Sequence, residues 1–149
     1  MNEKTKSILR EVCDPESWSA YPGICAHLRP QPVNWNPDRR EAVFAFDTED
    51  WMGNPARSLH GGIISVIFDN AMGALGIVCL EGRYAVTVNM TVNFLRTVPL
   101  SGRVFVRVRI PKLGRTLIYT EAELALEPAF AEICATASGV YHPQEQEIP

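Results

Sequence analysis

From residue 84 onward the chain alternates between apolar and polar side chains. In "GRVFVRVRIP", Val104, Val106, Val108 and Ile110 interleave with Arg103, Phe105, Arg107 and Arg109, the period of two that turns one side of a strand to a core and the other to water. Four such segments, residues 84–96, 102–111, 115–127 and 130–142, follow one another with short turns and read as strands. "EAVFAFDT", residues 41–48, reads as one more. Residues 60–80 hold the one long helical run, reached through the turn-rich "EDWMGNPARS". The expectation is an α+β fold in which one long helix faces an antiparallel sheet of about five strands.

Residues 1–40 follow neither period. They begin with a short helical candidate, after which Pro15, Pro22, Pro30, Pro32 and Pro37 deny regular structure most of the way. This part is expected to wrap a domain over residues 41–142, with 143–149 as a tail.

Composition narrows the function. With 149 residues, 46% hydrophobic and 21% charged, the chain fits one domain with a real core. A net charge of −3 with both signs scattered gives no nucleic-acid footprint. The arginine row on residues 103–109 could meet phosphate, but Glu121 and Glu123 repeat its spacing on the next strand and predict cross-strand pairs. Cys13, Cys25, Cys79 and Cys134 form no C-x-x-C pair, so neither a metal site nor a disulfide framework is expected, and free thiols suit a cytoplasmic protein. "MNEKTKSILREVC" has no apolar core of a signal peptide. The apolar run Gly61 to Leu80 could cross a bilayer by length, but it holds Asp69 and Asn70 and reads better as a buried helix, with no membrane partner.

Asp69 is the chemical question in that run. Steps of three and four place it with Gly62, Ser65, Gly73 and Gly76 on one stripe, while Ile64, Ile67, Phe68, Leu75 and Val78 spread around the rest. A stripe of small residues admits close approach of another backbone or a slender ligand. One reading is a core carboxylate satisfied by hydroxyls such as Ser65 or Thr87. The other is a base, since desolvating a carboxylate costs several kcal/mol that packing alone rarely justifies.

His60-Gly61-Gly62 stands at the helix start, where the first amides lack intrahelical acceptors and the dipole is positive. Without β-carbons the two glycines let a carbonyl oxygen come within hydrogen-bonding distance, as an oxyanion hole requires. An ordinary helix start with a capping histidine is the alternative. His60 and Asp69 are nine residues apart, on opposite sides of the helix and about 13.5 Å apart along its axis. If both serve one centre, the carboxylate comes from a second copy across a two-fold axis. The strand "YAVTVNMTVNFLR" fits that pairing, because it is long and hazardous as an open edge.

The run "NPARSLHGGIISVIFDNAMG" followed by "TVNMTVNFLRTVP" resembles the hot-dog-fold acyl-CoA thioesterases of the phenylacetic-acid-degradation (PaaI-like) type, over about residues 41–142. In that family an Asn precedes the His by six residues, the acid follows the His by nine, and a Ser or Thr follows the acid by eighteen. Asn54, His60, Asp69 and Thr87 keep all three spacings.

The resemblance implies a central helix wrapped by an antiparallel sheet, a homodimer and commonly a dimer of dimers. It implies hydrolysis of acyl-CoA without metal or cofactor. The amides of Gly61 and Gly62, chiefly the latter, would polarise the thioester carbonyl, with His60 positioning that end of the helix. Asp69 of the partner subunit would activate water or attack directly, and Asn54 and Thr87 would orient the water or the carboxylate. One departure stands out: the family often has Gly three residues before the His, where this chain has Arg57. That cation would stand at the site mouth, and Arg96, Lys112 and Arg115 at strand ends could meet nucleotide phosphates. Two rivals exist. A hydratase or dehydratase would need an acid and a histidine close together, and a non-catalytic acyl-CoA binding module would have no need of Asp69. Acyl preference would follow pocket depth, set by residues such as Met52, Met72 and Met90.

Overall fold

A computed structural model describes residues 3–14, 23–100 and 102–147, without the side chains of residues 5, 6, 9, 10, 13 and 147. In chain order its elements are α1 (Glu3–Cys13), α2 (Ile24–Leu28), β1 (Gln31–Asn36), β2 (Glu41–Thr48), a 3-10 turn (Asp50–Met52), α3 (Gly61–Cys79), β3 (Arg83–Phe94), β4 (Gly102–Leu113), β5 (Ile118–Ala125) and β6 (Ile133–Glu147). The strands form a six-stranded sheet in the order β1-β2-β4-β5-β6-β3, with every neighbouring pair antiparallel.

α3 is the long helix the periodicity predicts. It begins where His60, in extended conformation, caps its first turn. It ends in two left-handed residues, Glu81 and Gly82, whose amides turn back to the carbonyls of Val78 and Ile77 at 3.2 and 3.0 Å, a closure that satisfies the last carbonyls. Ile64, Ile67, Phe68, Met72, Leu75 and Val78 are buried against the inward faces of the strands, where Val104, Val106, Val108 and Ile110 of β4 project as the alternation requires. By length and composition α3 would also suit a bilayer; here its large side chains pack into the core against the sheet.

The outward face carries the predicted pairs. Arg107 meets Glu123 through Nε at 3.0 Å and lies 4.5 Å over the Phe130 ring, and Arg109 stands 3.9 Å from Glu121. Arg103 grips Asp47 of β2 with two nitrogens at 2.7 and 3.1 Å. Cys25, Cys79 and Cys134 are free thiols, whereas the Cys13 side chain is outside the described residues.

Two boundaries differ from the expectation. The proline-rich segment contributes β1, which pairs with β2 through a register shift between Pro32 and Asn34. Proline is tolerated there because β1 is a sheet edge, where an amide need not donate. A division at residue 41 therefore cuts a hairpin, and the residues from 143 continue β6 rather than forming a tail, since Pro143 and Glu147 still pair with Ala85 and Arg83. Residues 15–22 of the wrapping segment lie outside the described residues. The opposite edge, β3, is twelve residues long and contains no proline, and it exposes Val88 at 61% and Val86 at 45%.

Candidate active site

Asp69 sits half-buried midway along α3. Its Oδ1 accepts a hydrogen bond from Thr87 Oγ1 at 2.7 Å and another from the Tyr141 hydroxyl at 2.9 Å. Thr87 and Tyr141 are direct cross-strand partners on β3 and β6, so one register brings both hydroxyls to one carboxylate oxygen. Ser65, the other hydroxyl on the stripe, turns back to the Gly61 carbonyl at 3.0 Å. Among the described residues nothing bonds Oδ2. This carboxylate has one held oxygen and one open one.

Tyr141 escaped the sequence reading. It is 2% exposed, and burial, reinforced by the charge and acceptor of Asp69, pushes its phenol well above the usual range. It therefore remains a donor at neutral pH. The signal available in sequence is the inward face of β6, where Ala135, Ala137 and Gly139 are followed by a single large side chain with a polar tip.

The helix start shows the capping histidine of the second reading. Nδ1 of His60 accepts the amide of Gly62 at 2.9 Å, so the neutral imidazole carries its proton on Nε2. The Gly62 amide, which the resemblance casts as chief donor to the thioester, donates to the cap in this structure. The Gly61 amide has no acceptor among the described residues, and the Phe94 ring packs over Gly61, where a β-carbon would stand 3.3 Å from Cζ.

Asn54 folds the loop leading to this start. Its Oδ1 accepts from the amides of Ala56 and Ser58 at 3.0 and 3.1 Å, and its Nδ2 donates to Ser58 Oγ at 2.8 Å. Within that loop Arg57 has φ +59, left-handed backbone that favours glycine; this explains why the family often places Gly here. The three candidate phosphate contacts and the Arg57 cation are engaged elsewhere or exposed. Arg96 pairs with Glu132 at 3.0 Å and Lys112 lies 5.6 Å over the Tyr119 ring, while Arg57 and Arg115 are exposed. The N-terminal segment touches α3 next to Asp69: Asn70 Nδ2 donates to Cys25 Sγ of α2 at 3.1 Å.

The sequence profile of the thioesterase superfamily matches residues 57–128, the stretch that holds His60, Gly61, Asp69 and Thr87. The likeness to that superfamily covers just under half of the chain. Acyl-coenzyme A thioesterase 13 of Homo sapiens is 28% identical over 85 residues, a match that spans 56% of this chain and 60% of that protein's length. Among solved structures, the PaaI protein of E. coli from the phenylacetic acid degradation operon superposes with a TM-score of 0.76 at 18% identity, covering 95% of this chain and 99% of that one. The protein smu.793 of Streptococcus mutans, solved bound to acetyl CoA, has a TM-score of 0.69 at 19% identity and covers 80% and 91% of the two chains. At such identities the likeness to these structures is one of fold, and the fold is the hot-dog arrangement of a long helix in an antiparallel sheet.

Proposed function

We propose that this protein is a member of the thioesterase superfamily, an acyl-CoA thioesterase whose active site is shared between two subunits. The observations that carry the reading are the Asp69 carboxylate, fixed through one oxygen and open at the other, and, at the far start of the same helix, a Gly61 amide without an acceptor among the described residues. The name of the human relative and the acetyl CoA bound by the streptococcal neighbour support the substrate class.

In this reading the Gly61 amide, at the positive end of α3, donates to the thioester carbonyl oxygen and stabilises the charge that grows there. His60 holds that end of the helix by capping Gly62. Asp69 of the partner subunit either takes a proton from the water that attacks the carbonyl carbon or attacks that carbon itself. The C–S bond then breaks and the thiolate of coenzyme A takes up a proton; where water attacks, the acid leaves directly, and where Asp69 attacks, a water then hydrolyses the anhydride formed on its carboxylate and releases the acid. Two copies would pair along β3, the long open edge with exposed valines, since such an edge is a template for another strand. No cofactor is needed for these steps. The open edge and the opposed placement of His60 and Asp69 favour this arrangement over a single-chain hydratase site.

The test is release of free thiol from short, medium, long and aromatic acyl-CoAs by the wild type and by Asp69→Ala. The variant is expected to turn over at least about 100-fold more slowly while still binding acyl-CoA. Undiminished hydrolysis by Asp69→Ala would remove the acid from the mechanism.

A further inference from the structure

The carboxylate at the centre of the proposed hydrolysis is oriented by a residue outside the matched stretch of the chain. Tyr141 approaches Asp69 from β6, seventy-two residues later in sequence, and its hydroxyl also lies 3.4 Å from the Asp69 carbonyl oxygen. Thr87 reaches the same Oδ1 from β3. Two donors converging on one oxygen define the plane of the carboxylate and turn Oδ2 away from them.

The surroundings are shaped for the tyrosine ring. Gly139, two residues earlier on the same face, has no β-carbon; one built there would stand 2.9 Å from Tyr141 Cε2 and 2.7 Å from Thr120 Oγ1. Thr120 is itself buried and held in place, 3.0 Å from Met72 Sδ and 3.1 Å from the Gly139 carbonyl oxygen. The strand thus gives up a side chain at the point where the ring lies, and the ring has little room to turn from Asp69.

We propose that Tyr141 is a positioning residue: together with Thr87 it holds Oδ1 of Asp69 so that Oδ2 is the oxygen presented to the thioester or its water. The inference deepens the proposed thioesterase reading and rests on it.

Tyr141→Phe keeps the ring and removes only the hydroxyl. It is expected to lower kcat about 10- to 100-fold, the scale for one lost hydrogen bond to a charged group, with KM unchanged within about twofold. A structural role alone would lower the melting temperature and leave kcat of the folded fraction intact. Unchanged kcat in a folded Tyr141→Phe protein, or a loss confined to KM, would overturn the proposal. A second measurement needs no activity: with tyrosine labelled at the ζ carbon, the Tyr141 resonance should move on Asp69→Asn, and an unmoved resonance would show that the contact does not exist in solution. Failure of the thioesterase reading looks different, because the wild type itself would then release no thiol from any acyl-CoA while the resonance still moved.

Discussion

His60 and Gly62 close the start of α3 on themselves: the amide of one donates to Nδ1 of the other at 2.9 Å. A histidine is not among the favoured capping residues, yet it does here what Asn, Asp or Ser usually do. The consequence is a division of labour between two adjacent glycines. The amide of Gly62 secures the helix, and that of Gly61 is left for a ligand.

His60→Ala should therefore cost about 1 kcal/mol of stability, the usual worth of a cap, and His60→Asn should recover most of it. Denaturant midpoints of the three proteins check this. Gly62→Val should mimic the loss, because a β-carbon there stands 3.0 Å from His60 Nδ1 and displaces the ring. If His60→Asn restored stability but not hydrolysis, the Nε2 proton would have a role of its own.

Arg57 offers a gain rather than a loss. Its φ of +59 costs a side-chain-bearing residue roughly 1 kcal/mol that glycine avoids. Part of that gain is returned as extra freedom of the unfolded chain, so Arg57→Gly should raise stability by about 0.5 kcal/mol. A thermal melt measures it. Should acyl-CoA affinity fall in the same variant, with the drop lessening at high salt, the guanidinium contributes to phosphate recognition.

Much of this architecture is legible in the sequence, and what is not legible has a common cause. The alternation in Val104, Val106, Val108 and Ile110 declares β4 because each residue's face is decided locally. Asp69 and Thr87 are legible through their spacing. Tyr141 is not, because its meeting with Asp69 depends on the register of β6 against β3, including a shift between Thr87 and Asn89. β1 is hidden for a related reason: Pro32 argues against a strand until its position at the sheet edge is known. The commitment of the Gly62 amide is likewise a competition between two acceptors, an incoming carbonyl and the imidazole two residues back, that spacing alone does not decide.

Burial pushes the Cys79 thiol up to about 11, against a smaller opposing effect of Arg40. Below about pH 8.5 the thiol is protonated in both folded and unfolded chains, and the contribution to stability is complete. Above that the unfolded chain releases its proton while the folded chain keeps it, so the unfolded state binds fewer protons and stability falls as pH rises. By pH 10 the loss should reach about 1–2 kcal/mol. Urea titrations at pH 7.5 and pH 10 should show a smaller drop in Cys79→Ala than in the wild type; equal drops would assign the alkaline loss to other groups, the buried Tyr141 phenol first among them.

The shared site is tested by mixing two disabled proteins, His60→Ala and Asp69→Ala. On α3 these residues lie nine positions and about 13.5 Å apart along the axis, on opposite sides, so one chain cannot bring them to a common substrate. After subunit exchange in equal amounts, half of the dimers are mixed. Each mixed dimer has one site with both lesions and one with neither. About a quarter of wild-type activity should return. A mass tag on one variant establishes that exchange took place. If activity stayed at the level of the separate variants although mixed dimers had formed, every site would carry a lesion, and the carboxylate and the helix start would have to act within one chain.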